Sequence, residues 1–289
     1  MAEASISDIL LSEESPPDWL VPELFIQGGV YCLIGEAGAG KSAISYTLSL
    51  AIGAGLPMFG GMFHCMEPKR VLYFDEENSE QDRNAYIRRA WGGLVRQWGM
   101  MEQKEQWRLI RLMDENIRLV HFEMGTDDWV ETATRHIEEH QPHVMFFDTA
   151  TPVFNIAEEN DNGVASKVVR KLRELMKMTT PIASSIVLKH AKHRTQKGGQ
   201  RTVRGGKAWE GAVDGFLHQV KAPGRPRSDG LRLTRLEPGK VRAFGLRQTV
   251  YITPSWTDET EKGLILTGSF TRDREHTKAE IEEERGLED

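Results

Sequence analysis

The chain has 289 residues, 39% of them hydrophobic, which is enough apolar matter for a substantial core in one large or two small domains. A net charge of −6 excludes a protein that coats nucleic acid through bulk positive charge, so an anionic partner has to be held by a local patch. Two cysteines, Cys32 and Cys65, are too few for a disulfide framework and match no zinc spacing, which fits a reducing cytoplasm; the apolar runs fall far short of a membrane span, and Glu3 and Asp8 stand where an export signal would be basic.

In chain order, residues 1–17 carry four acids and no base before Pro16-Pro17 and read as an acidic arm. The main domain is expected over 18–270 and a charged tail over 271–289. "GVYCLIG" predicts a strand, and "KSAISYTLSLAIGAG" predicts a helix with Ala43, Ile44, Thr47, Leu48 and Ala51 on one stripe. Between them, Gly35, Gly40, Lys41 and Ser42 fit G-x-x-x-x-G-K-[ST], the phosphate-binding loop. Glycines let backbone N–H groups converge on phosphate oxygens, and the helix start adds its positive end. Gly35, Glu36, Ala37, Gly38, Ala39, Gly40, Lys41, Ser42 and Ala43 are therefore expected to hold ATP, with Lys41 on the β- and γ-phosphates and Ser42 on Mg2+.

The next strand, "RVLYFDEEN", ends in the acids Asp75, Glu76 and Glu77, any of which could polarise the attacking water. "SEQDRNAYIRRAWGGLVRQWG" reads as a helix. Trp91, Trp98 and Trp107 lie among arginines, as on a base-stacking surface, but fit better as core aromatics of amphipathic helices. Past the helical "TDDWVETATRHIEEH", the continuous apolar run of "HVMFFDTA" predicts a strand buried on both faces, with Asp148 at its carboxyl end as a magnesium ligand or a cap of the following segment. "DNGVASKVVRKLRELMKM" predicts a helix, and "SSIVLKH" a strand ending at His190, either a γ-phosphate sensor or a packing residue. Strands alternating with helices imply a mostly parallel sheet.

Lys189 to Lys207 then holds seven Lys and Arg, no acid and four glycines. A basic loop leaving the nucleotide edge would either grip a phosphate backbone through Lys192, Arg194, Lys197, Arg201, Arg204 and Lys207 or stand as a solvated mobile loop with no partner, and the first reading is preferred. Beyond it, "DGFLHQVK", "LRLTRLEPG" and "FGLRQTVYITP" alternate in the period-two manner and extend the sheet with antiparallel hairpins. "EPGKVRAFG" reads as a turn with Lys240 and Arg242 at a hairpin tip.

Together these features resemble the RecA-like P-loop ATPase core of replicative helicases, most closely the RepA-type hexameric helicases of broad-host-range plasmids, from about Trp19 to about Gly245. "FFDTATPVFNIAEEN" is the most specific segment, because those helicases carry a similar D-T followed by F-x-I-x-E-E-N. The resemblance implies an α/β fold with a mostly parallel central sheet flanked by helices and C-terminal antiparallel hairpins. It makes Glu77 the catalytic glutamate, with Glu76 as second choice, and His190 the sensor, while Lys189 replaces the first histidine of the family's H-H-x-x-K. "TVRGGKAW" resembles the family's R-G-S-S, with Gly206 and Lys207 in place of serines, and "GKVRAFG" fits a K-x-R found on a late hairpin of related ring helicases. Arg204 and Arg242 compete for the role of arginine finger, and Arg242 is preferred.

By the same resemblance the chain is a head-to-tail homo-oligomer, expected to be a hexamer, that hydrolyses Mg-ATP and moves on single-stranded DNA beside other replication or recombination proteins. Its setting would be the bacterial cytoplasm, on a phage or plasmid. Two alternatives stand: a recombination ATPase that remodels strands without unwinding them, and a nucleotide-switched module that loads a partner.

Overall fold

The computed structural model describes residues 5–11, 17–100, 102–121, 128–156, 162–191, 207–221, 231–241, 245–257 and 263–270. A short helix α1 (Ile6–Leu11) and a small hairpin, β1 (Trp19–Val21) and β2 (Phe25–Ile26), precede β3 (Val30–Gly35) and α2 (Lys41–Ala54). A second hairpin, β4 (Pro57–Met58) and β5 (Phe63–His64), leads to β6 (Val71–Asp75), α3 (Glu80–Gln97), α4 (Gln103–Asn116) and β7 (Ile117–Val120). Then come α5 (Trp129–His140), β8 (Val144–Asp148), α6 (Ala150–Val153), α7 (Asn162–Met176) and β9 (Ser184–His190). The chain continues with α8 (Lys207–Ala212), β10 (Gly215–Lys221), β11 (Thr234–Val241), β12 (Val250–Trp256) and β13 (Leu264–Ser269).

The main sheet has nine strands in the order β13-β12-β11-β10-β3-β9-β8-β6-β7. From β10 to β7 all neighbours are parallel, and β10 to β13 are antiparallel, as the sequence predicts. Helices cover both faces of the parallel part, and its central strands β3, β6 and β8 are buried at every position. Successive side chains serve opposite layers. Tyr73, Phe146, Ile186, Leu188 and Leu33 pack against α2, α3 and α4. Leu72, Phe74, Met145, Phe147, Val187 and Ile34 pack against α5, α7 and α8. Burying each such side chain contributes about 1.5–3 kcal/mol, which holds both helical layers on the sheet.

Two glycine-bearing segments behave differently from their local sequence signals. Gly93 sits inside α3, where glycine costs about 1 kcal/mol relative to alanine. It is needed because β13 crosses there: a Cβ on Gly93 would lie 2.0 Å from the Leu264 carbonyl oxygen. "EPGKV" is not a turn; it lies within β11. Phe216 pairs with Lys240 and Leu217 with Pro238, so Gly239 is an extra residue, and the Phe216 ring fills the place of its missing side chain. Lys240 consequently leaves no hairpin tip. Its ammonium donates to the carbonyls of Glu210, Gly211 and Val213 at the end of α8.

β6 follows β3 in the chain but lies three positions away on one side, whereas β10 lies on the other side of β3. The strand order therefore reverses at β3, and ligands of open parallel sheets bind outside the carboxyl ends at such a point.

Candidate active site

Pairing brings the predicted residues to that edge. Gly35 is in register with His190 on one side and Gln219 on the other, and Asp75 with Asp148. In each strand the alternation turns these positions toward the layer of α2. Gly35 follows Tyr31 and Leu33, His190 follows Ile186 and Leu188, and Asp148 follows Val144 and Phe146.

The loop from Gly35 to Gly40 closes tightly, with the Ala39 N–H donating to the Glu36 carbonyl at 3.1 Å. Gly38 and Gly40 have φ of +66° and +87°, a region that resists side chains. Gly35 has a separate reason: a Cβ there would lie 2.9 Å from the Gln219 carbonyl oxygen. Helix α2 begins at Lys41 with no side-chain cap and no acid in its first turn. Its first N–H groups thus stay open to an anion, and the positive end of the helix faces the loop.

The three acids at the end of β6 have different partners. Asp75 is fully buried and saturated. Tyr46 donates to its Oδ2, and Asn78 donates to Oδ1 through its backbone N–H (3.1 Å) and its side-chain amide (3.0 Å). Glu76 Oε1 lies 3.3 Å from Nδ1 of His121. Glu77 Oε1 lies 3.1 Å from Nε2 of His190. The connection is short, because Ser79 caps α3 by accepting from the Asp82 N–H. The Asp75–Asn78 bonds and this cap leave Glu77 at the middle of a pinned loop.

His190 joins Glu77 to the phosphate loop. Nζ of Lys41 donates to the carbonyls of Gly35 (3.1 Å) and Glu36 (3.2 Å) and lies 3.4 Å from Nδ1 of His190. An ammonium has no lone pair, so Nδ1 must accept, which leaves Nε2–H to donate to Glu77. That bond holds the Glu77 carboxyl below the usual range against the opposing effect of burial, with help from the Thr149 hydroxyl and Lys41. Burial lowers the Lys41 pKa, and the charges of Glu77 and Asp148 oppose that.

Asp148 is fully buried, and burial raises its carboxyl to about 7, with Asp75 and Glu77 adding to the effect and Tyr73 and Ser42 opposing it. Tyr73 donates to Oδ2 at 2.9 Å, and its hydroxyl also meets Oγ of Ser45 at 2.7 Å. Oδ1 of Asp148 has no hydrogen-bond partner among the described residues. A buried carboxylate oxygen left open beside a serine hydroxyl, at a loop built for phosphate, is a donor set that suits a hard divalent cation such as Mg2+.

Residues 2–196 match a protein family described as an AAA domain, about two thirds of the chain. The chain belongs to this family of P-loop ATPases. A comparison with curated proteins gave no match. In this AAA-domain ATPase, no helix among the described residues is long and apolar enough to cross a membrane.

The remaining expectations divide. Lys192, Arg194, Lys197, Arg201, Arg204 and Arg242 lie outside the described residues, and Lys207 opens α8. Lys189 faces the opposite layer from His190 and is buried with its ammonium 4.3 Å from the Trp209 ring. Trp91 and Trp98 pack on the core, and Trp98 donates to the Pro57 carbonyl; Trp107 is exposed.

Sequence reasoning missed Tyr46, Tyr73, Gln219 and Lys221. Gln219 donates to the Ala39 carbonyl, and Lys221 donates to the Ala37 carbonyl at 2.8 Å. A buried glutamine among the apolar residues of "GFLHQVK" was the available signal.

Proposed function

We propose that this ATPase is an oligomeric motor that couples ATP hydrolysis to movement along single-stranded DNA, of the RepA-type helicase kind. The observation that supports it is the unbroken chain of contacts from Lys41 through His190 to Glu77. It ties the phosphate-binding group to the acid that handles water, through the last residue of β9, two residues before the basic segment begins at Lys192.

Lys41 and the open N–H groups of α2 bind the β- and γ-phosphates of ATP. Ser42 and Asp148 Oδ1 would hold Mg2+, which when bound neutralises charge on those phosphates. Glu77, ionised, orients a water in line with the γ-phosphorus. The water oxygen bonds to phosphorus as the bridging oxygen leaves with ADP, and the water's proton passes to Glu77 and on to solvent. His190, bound to both Glu77 and Lys41, moves when either does, and passes that change toward Lys192, Arg194, Lys197, Arg201, Arg204 and Lys207, which hold the DNA backbone.

An arginine finger completes the site from a neighbouring subunit. β11 runs antiparallel to β10 and ends at Val241 opposite Gly215, at the edge away from the chain's own phosphate loop. Arg242 follows directly, so its finger role requires a second copy placed head to tail, a contact that repeats into a closed ring or a filament.

The test is ATP turnover with and without single-stranded DNA. Wild type is expected to hydrolyse ATP faster when DNA is added, and Glu77→Gln to keep nucleotide binding while losing about 10²- to 10⁴-fold in kcat. ATP-dependent partner binding with negligible wild-type turnover, unaffected by Glu77→Gln, would overturn the motor in favour of a nucleotide-switched loading module.

A further inference from the structure

Lys221 is the last residue of β10, two positions beyond the Gln219 that pairs with Gly35. Leu217, Gln219 and Lys221 alternate toward the same layer, and the sheet thereby sets the Lys221 ammonium against the outside of the phosphate loop. Its one hydrogen bond among the described residues goes to the Ala37 carbonyl, and it lies 3.6 Å from where a Cβ of Gly38 would be. Two of its three donors are thus open to a ligand of the loop. Lys221 makes no ion pair among the described residues.

Its charge nevertheless reaches Lys41, adding to the burial that lowers that ammonium's pKa. Two cations at one small loop repel each other, and a polyphosphate bound at that loop would offset the repulsion. Gln219 provides the rigid neighbour that makes the arrangement reproducible. It is buried and bonded to Ala39, so the loop's outer wall is fixed to β10 at both Ala37 and Ala39. This wall lies beyond residue 196, where the family match ends.

We propose that Lys221 is a second phosphate-binding lysine, which leaves the Ala37 carbonyl to contact the polyphosphate of ATP or ADP. The inference rests on the ATPase reading of the site. Its test is calorimetric titration of the full chain with Mg-ATP and Mg-ADP at two salt concentrations, for wild type, Lys221→Gln and Lys221→Arg, with urea unfolding of each nucleotide-free protein. Glutamine keeps a donor for Ala37 but carries no charge. Lys221→Gln is expected to weaken both nucleotides about 10- to 100-fold, as loss of a charged hydrogen bond does, and to flatten the salt dependence. Lys221→Arg should restore most of the affinity, and the urea midpoints should stay together. Wild-type affinity in Lys221→Gln would overturn this inference alone, as would weakening matched by a lowered urea midpoint that arginine fails to rescue. Absence of ATP binding by wild type would overturn the ATPase reading with it.

Discussion

Asp75 and Asp148 sit side by side in register on neighbouring strands, both shielded from solvent, and differ in what surrounds them. Asp75 receives three donors from Tyr46 and Asn78, whereas Asp148 receives Tyr73 on Oδ2 and keeps Oδ1 open. The first clamps the loop that carries Glu77, and the second leaves one oxygen open for the proposed cation. Tyr46 and Tyr73 stack with centroids 4.7 Å apart, so the two tyrosines also fix each other. Tyr46→Phe keeps that stack but removes a donor from a buried carboxylate. It is expected to cost about 1.5–3 kcal/mol in urea unfolding and to lower kcat more than it raises KM, since it loosens Glu77 without touching the phosphate loop. Unchanged stability would show that Asp75 does not depend on Tyr46.

At the scale of elements, the close passage of β13 over α3 depends on Gly93. Gly93→Ala improves helix propensity yet is expected to destabilise by about 1–3 kcal/mol, because the added methyl meets the Leu264 carbonyl; thermal unfolding reads this directly. A stabilised variant would mean that α3 and β13 can part at no cost. The sequence made the parallel strands and the phosphate loop readable because those signals are local: continuous apolar runs for strands buried on both faces, and fixed spacing at a strand-to-helix turn. It could not rank Asp75, Glu76 and Glu77 from the residues themselves, because the ranking comes from Tyr46, His121 and His190 on other elements. It missed Lys221 because the bond to Ala37 joins residues 184 positions apart. It misread "EPGKV" because proline and glycine usually mark a turn, whereas here the Phe216 ring uses the glycine to build a bulge.

For the whole molecule, the proposed motor requires more than one chain. The phosphate loop, Glu77, Asp148 and His190 meet at the carboxyl edge of the sheet, whereas β11 ends at Val241 at the opposite edge, one residue before Arg242 in the sequence. A trans arginine predicts complementation. Arg242→Ala subunits mixed with Lys41→Ala subunits should recover part of the ATPase activity that neither has alone, because some interfaces then pair an intact loop with an intact arginine. No recovery, in mixed assemblies shown to form by native mass spectrometry, would count against Arg242 and leave Arg204 as the finger. The proposed motor moves on DNA, and strand displacement from a fluorescent forked duplex with ATP reads that movement. Displacement is expected from wild type and none from Lys41→Ala. Hydrolysis stimulated by single strands without any displacement would contradict the motor and identify an ATPase that remodels strands without unwinding them.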